Sequence, residues 1–140
     1  MIYPPLVAEH PQKTIRVVAA VVERSGRYLI TQRRPNAVLP GLWEFPGGRV
    51  ETGETDADAL RREMRERLDA DVTVGQLISF VSHRYEHYTV DLHLYECTLA
   101  SEELVPQAVH QYRWVTSAEF DQYEFTPADE ASMNKLLGED

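Results

Sequence analysis

Between Gly48 and Glu66 the chain runs Gly-Arg-Val-Glu-Thr-Gly-Glu-Thr-Asp-Ala-Asp-Ala-Leu-Arg-Arg-Glu-Met-Arg-Glu. This stretch constrains the fold more than any other. A glycine turn has to deliver the backbone into a helix whose start is marked by Thr55, a capping side chain, and by Asp56 and Asp58 in the first turn, where the helix dipole favours negative charge. Ala57, Leu60, Met64 and Leu68 recur at helical spacing and predict one apolar face packed on a sheet. Glu63 and Glu66 fall on the flank beside that face. Carboxylates gathered on one flank repel each other. They are best explained by a divalent cation held there, through which a polyanionic substrate binds. The competing reading is a solvated face paired with Arg62, Arg65 and Arg67.

The remaining segments place this helix among strands. Ile15 to Val22, Arg27 to Gln32 and Trp43 to Phe45 read as strands, the first two joined by a turn at Ser25-Gly26. Asp71 to Ser82 and Tyr88 to Leu99 predict two long strands linked through His83-Arg84-Tyr85-Glu86-His87, and His110 to Val115 predicts another. A helical turn follows at Ser117 to Phe120, and a last helix starts near Thr126-Pro127 and ends at about Leu137. The order β-β-β-α-β-β-β-α suits an α/β fold with a mixed sheet between helices. Residues 1–13 carry Pro4, Pro5 and Pro11 and no clear period, and read as an N-terminal arm; residues 14–140 read as a single domain.

Charge and composition narrow the function classes. A formal net charge of −9 argues against a general nucleic-acid surface, because phosphate neutralisation needs clustered Lys and Arg. It does not argue against a nucleotide, since a bound metal supplies positive charge locally. The single cysteine, Cys97, excludes an intramolecular disulfide and a thiolate metal cage. No apolar run approaches the ~20 residues of a membrane span, and Met-Ile-Tyr-Pro-Pro does not read as a signal peptide, so a cytoplasmic protein with no membrane partner is expected.

The central segment resembles the Nudix signature, G-x5-E-x7-R-E-U-x-E-E-x-G-U with U aliphatic. Gly48, Glu54, Arg62, Glu63, Met64 and Glu66 fall at matching positions, and the preceding Gly41-Leu-Trp-Glu-Phe-Pro-Gly-Gly48 is similar to the MutT-like branch. The likeness extends from about Thr14 to near the C-terminus. It implies the Nudix α/β/α sandwich and a nucleotide pyrophosphohydrolase. In that reading Glu63 and Glu66 hold Mg²⁺ (or Mn²⁺) together with the carbonyl of Gly47 or Gly48. Glu54 and Arg62 form a bridge that fixes the loop against the helix. A water deprotonated by a nearby glutamate attacks phosphorus in line, releasing pyrophosphate and a nucleoside monophosphate.

Further residues take their roles from the same resemblance. Arg33 matches a position that contacts substrate phosphate, for which a guanidinium is suited. Asp129 stands where MutT-like proteins keep an Asn or Asp that reads the base; an acceptor there favours a base with an exocyclic amine, such as cytosine. Its competing role is in the first turn of a helix capped by Thr126. His83, Tyr85, His87 and Tyr88 form an aromatic cluster read as strand packing, with base stacking as the alternative.

Two family acids are missing: Arg67 stands in place of the second glutamate of the signature, and Ala108 in place of a glutamate six residues before Trp114. The later signature glycine is Asp69. The expectation is therefore an enzyme acting on a nucleoside triphosphate or a related nucleoside diphosphate derivative. The alternative is a Nudix domain of weak or absent activity that senses a nucleotide. The substrate is a small molecule, and the arm leaves a homodimer open. The C-terminal domain of adenine-specific DNA glycosylases shares the W-E-F-P-G-G type of segment, but the acidic charge disfavours that reading.

Overall fold

Strand β1 (Lys13–Val21) sets the layering, because both of its faces are buried. Val18 and Ala20, with Val22 just beyond the strand, point to one side and meet Ala59, Leu60, Met64 and Leu68 of helix α1 (Asp56–Leu68). Ala19 and Val21 point to the other and join a cluster with Leu92, Leu94, Phe45 and, from helix α2 (Pro127–Leu136), Ala128 and Met133. The alternation of a strand places successive side chains on opposite faces. A run of Val and Ala buried on both is what a strand between two helical layers requires. The computed structural model describes residues 13–136. The expected arm at residues 1–12 and the helix end at Leu137 lie outside them, and Lys13 is the first residue of β1.

The remaining strands are β2 (Glu23–Arg24), β3 (Arg27–Gln32), β4 (Trp43–Glu44), β5 (Gly47–Arg49), β6 (Val72–Arg84), β7 (Tyr88–Leu99) and β8 (Gln111–Val115). A 3₁₀ turn spans Ser117–Gln122. The larger sheet has the order β5-β1-β7-β6. β1 and β7 run parallel from Lys13↔Tyr88 to Val21↔Glu96, while β5 and β6 flank them antiparallel, so the sheet is mixed as the element order suggests. The second sheet is antiparallel and centres on β3, which pairs with β2, β4 and β8.

Strand β5 was not expected. Gly-Gly-Arg has little strand propensity of its own, and it is held in place by pairing with β1. Helix α1 begins as expected: Thr55 Oγ1 accepts from the Asp58 amide at 3.1 Å. Ala59 rather than Ala57 is fully buried on its inner face. It ends on Asp69 in the left-handed region, φ 52°. This accounts for the departure from glycine there, since Asp is among the few side chains that tolerate that conformation.

Candidate active site

The loop before α1 is tied to the helix by one guanidinium. Arg62 Nε donates to Glu54 Oε2 at 2.6 Å and its Nη2 to Glu54 Oε1 at 2.9 Å, a two-pronged bridge. Nη2 also donates to the Arg49 carbonyl at 2.9 Å, joining β5 to the helix. Nη1 reaches Glu63 Oε2 at 3.0 Å and Glu66 Oε1 at 3.2 Å. Glu54 Oε1 accepts a further bond from the Glu51 amide at 2.8 Å. The Arg62 guanidinium, with that amide, holds the Glu54 carboxyl down at about 2, so it is ionised at any physiological pH. The expected Glu54–Arg62 pair is thus present, and Arg62 also links both helical carboxylates to the loop.

Gly47 and Gly48 sit on the edge of the larger sheet beside those carboxylates. A Cβ on Gly48 would lie 2.3 Å from Glu63 Cδ, so a larger residue there would have to push this carboxylate from its place against the backbone. A Cβ on Gly47 would lie 2.0 Å from the Val18 carbonyl oxygen. The two glycines also differ in their backbone groups. The Ala20 amide donates to the Pro46 carbonyl at 2.8 Å and the Val50 amide to the Arg16 carbonyl at 3.0 Å. With Val18 opposite Gly48 and Ala19 opposite Gly47, the alternation of an antiparallel ladder puts Val18 and Gly48 in the hydrogen-bonded pairing. The carbonyl of Gly47 is therefore turned away from β1 at the sheet's open edge.

From this edge a cleft of about 330 Å³ runs toward the N-terminus of α2. Arg33, Glu44, Arg67, Tyr85, Tyr88 and Asp129 all contribute to its walls. Glu44 lies between two guanidiniums: Arg33 Nη1 at 3.2 Å and Arg67 Nη1 at 3.8 Å. Burial nonetheless pushes its carboxyl above the usual range, with the two arginines pulling the other way. At the far end Asp129 Oδ1 accepts from the Phe45 amide at 3.0 Å, and Oδ2 accepts from the Thr126 hydroxyl at 2.6 Å. Burial, reinforced by the nearby Glu44 charge, pushes the Asp129 carboxyl up to about 7. Beside it the rings of Tyr85 and Tyr88 stack with centroids 5.1 Å apart, and the Tyr85 hydroxyl accepts from the Ala128 amide at 3.2 Å.

The donor set around Gly47 and Glu63 suits one hard divalent cation. It offers two carboxylates three residues apart on one helix and a carbonyl at a sheet edge. Mg²⁺ commonly takes one or two carboxylates and completes its shell with water and substrate phosphate. Among the described residues no group of three or more His, Cys, Asp or Glu could hold a metal ion. The arrangement therefore fits an ion shared with a phosphate, not one caged by protein alone.

Of the residues singled out from the sequence, Arg33, Gly47, Gly48, Arg67, Tyr85, Tyr88 and Asp129 line the cleft. Glu54, Arg62, Glu63 and Glu66 form the ion-paired cluster beside Gly48. His83 and His87 are not part of its lining. Glu63 is nearly buried against Gly48, with its side chain 10% exposed, whereas Glu66 is 57% exposed on the solvent side. Arg33 lines the cleft, held by Glu44 and by the Val38 carbonyl. Ala108 contacts the C-terminal end of α1 through its amide, which donates to the Arg67 carbonyl at 3.4 Å; its methyl side chain adds no acid there. The sequence reading missed Glu44. The signal was available: Trp43 and Phe45 are both buried, so the acid between them must project to the opposite side of the strand. It also underrated Tyr85 and Tyr88, which pack on each other and at the same time line the cleft.

Comparisons with known proteins agree with this architecture. The NUDIX domain family matches residues 17–135. A CTP pyrophosphohydrolase of Escherichia coli is 39% identical over 120 residues, covering 84% of this chain and 87% of that protein. An 8-oxo-dGTP diphosphatase of Proteus vulgaris is 33% identical over 94 residues, 66% of this chain and 84% of that protein. The crystal structure of a MutT protein from Methanosarcina mazei superimposes with a TM-score of 0.81 at 21% identity, over 91% of this chain and 95% of that one, a likeness of fold. The family match spans most of the chain and includes the braced loop, the glycine edge and the carboxylate flank just described: the chain belongs to the Nudix family and is a MutT-like Nudix hydrolase.

Proposed function

We propose that this chain hydrolyses a nucleoside triphosphate, in the cytoplasm, to the nucleoside monophosphate and pyrophosphate, with Mg²⁺ or Mn²⁺ as cofactor. The observation that carries this reading is the packing of the Glu63 carboxylate against Gly48, beside the outward carbonyl of Gly47. Glu63, Glu66 and the Gly47 carbonyl would hold the ion. When bound, such an ion neutralises phosphate charge and orients the reacting oxygens. Arg62 keeps the loop and both carboxylates in register and is a positioning residue. Arg33, fixed by Glu44, offers its remaining donors to phosphate oxygens.

The far end of the cleft is assigned to the base. Tyr85 and Tyr88 supply a flat apolar wall. Asp129 keeps acceptor capacity beyond the two bonds it already takes. Held near neutrality by burial, its carboxyl also carries a proton part of the time, placing a donor beside an acceptor. That pattern matches the N3 and amino group of cytosine, and it agrees with the activity named for the Escherichia coli relative. The relative named for 8-oxo-dGTP makes an oxidised guanine the main competitor.

A second reading, a nucleotide sensor with little turnover, is favoured by one observation. Both oxygens of Glu63 already have guanidinium partners, Arg62 at 3.0 Å and Arg67 at 2.6 Å. Incubation with Mg²⁺ and a panel containing CTP, dCTP, 8-oxo-dGTP and the common triphosphates separates the two. Monophosphate and pyrophosphate in equal amounts, abolished in Glu66→Gln, support the hydrolase. Nucleotide binding without product supports the sensor.

A further inference from the structure

Arg67, which stands where the family pattern has a second glutamate, makes contacts with two carboxylates of the cleft. Arg67 lies four residues after Glu63 on α1, the orientation that brings a Glu–Arg pair together, and its Nε donates to Glu63 Oε1 at 2.6 Å. Its Nη1 lies 3.8 Å from Glu44 Oε2 across the cleft. The side chain is only 23% exposed and forms part of the cleft wall along with Gly47 and Gly48. Its backbone is anchored too: the Arg67 carbonyl accepts from the Gln107 amide at 2.9 Å and from the Ala108 amide at 3.4 Å. A guanidinium carries five N–H donors in a rigid fork. Nε is committed to Glu63, while Nη1 faces Glu44 at 3.8 Å, beyond hydrogen-bond distance, which leaves N–H donors over for a ligand in the cleft.

We infer that Arg67 is a built-in cation of this site: it shares the Glu63 carboxylate with the divalent ion and grips a phosphate oxygen of the substrate with its remaining donors. This rests on the proposed function for the identity of the ion and of the ligand. A carboxylate oxygen that accepts a 2.6 Å charge-assisted bond is partly withdrawn from any metal. A positive charge fixed in the cleft attracts a triphosphate even when no metal is present.

The test has two arms, neither of which reads turnover. In the first, Mn²⁺ alone is titrated into the wild type, Arg67→Gln and Arg67→Glu, and binding is followed by calorimetry or by loss of the free-ion EPR signal. Expected is a Kd about tenfold lower for Arg67→Gln and lower again for Arg67→Glu, which adds a carboxylate. Equal Mn²⁺ affinity in wild type and Arg67→Gln would overturn the sharing of Glu63. In the second, a non-hydrolysable α,β-imido nucleoside triphosphate is titrated in EDTA. Expected is binding about tenfold tighter to the wild type than to Arg67→Gln, with partial recovery in Arg67→Lys. Equal affinity, or no binding by the wild type, would overturn the phosphate contact. Should no chain take up Mn²⁺ while the EDTA arm behaves as expected, the metal-dependent reading and the sharing of Glu63 both fall and the phosphate contact stands. Thermal unfolding of each variant confirms that the folded chain is being compared.

Discussion

The two ends of the cleft treat the same functional group in opposite ways. At the α1 end, Glu54 and Glu63 lie among guanidiniums, and Glu54 is held ionised by Arg62. At the α2 end, Asp129 is buried with only a hydroxyl and an amide as close donors, faces the charge of Glu44, and retains its proton toward neutral pH. On the function proposed above, the chain keeps fixed negative charge where a cation would be held, and a group able to donate or accept where a base would be read. The contrast comes from neighbours, since a carboxyl paired with arginine and one desolvated with only neutral donors bonded to it move in opposite directions.

The contrast can be broken most strongly at the first end. Glu63→Gln keeps the shape but removes the charge. We expect turnover of the preferred triphosphate to fall by more than the ~10–100-fold typical of losing an outer metal partner, together with a lower melting temperature, because an amide NH2 would then face one of the two guanidiniums that Glu63 now accepts from; a steady-state assay beside a melting curve reads both. Gly48→Ala places a methyl where the Glu63 carboxylate now lies. It should displace the Glu63 carboxylate, the group that a Cβ there meets, and so weaken metal uptake more than it lowers stability, which metal titration beside denaturant unfolding will register.

At the other end, Asp129→Asn replaces a buried acid by an isostere able to pair with the Phe45 amide and Thr126. The sign follows from linkage. The native carboxyl titrates near 7 and an unfolded one near 3.8, so the folded protein binds more protons between those values and loses stability as pH rises through them. Asn removes that loss. The variant should be more stable than wild type by on the order of 1 kcal/mol at pH 8, with the gain fading toward pH 4. A gain independent of pH would show that Asp129 is ionised throughout. The smallest effect is expected from Glu54→Gln. With a native value of about 2 against 4.5 unfolded, Glu54 stabilises the fold above pH 4.5 and loses this as pH falls toward 2. The melting-temperature gap between wild type and variant should therefore close across that window.

These two ends also differ in how far they were legible in the sequence. The α1 end is local: capping Thr55, the apolar stripe, Glu63 and Glu66 follow from helical spacing, and the Glu54–Arg62 bridge, which the family resemblance implies, lies within the same loop and helix. Even Asp69 in a glycine position follows from the left-handed end of the same helix. The α2 end is assembled across the chain. The Phe45 amide and Asp129 are 84 residues apart, and Tyr85 meets Ala128 across 43. No periodicity encodes such juxtapositions; they follow from the parallel pairing of β1 with β7 and from the docking of α2. Strand β5 and the division into two sheets were hidden for the same reason, since both depend on partners distant in sequence.

The most direct measurement of the central claim is Mn²⁺ line broadening in amide NMR spectra. Substoichiometric Mn²⁺ should broaden Gly47, Gly48 and the α1 residues around Glu63 and Glu66 first, leave α2 and β6 sharp, and lose this pattern in Glu63→Gln. Broadening centred elsewhere, or unchanged in that variant, would contradict the account.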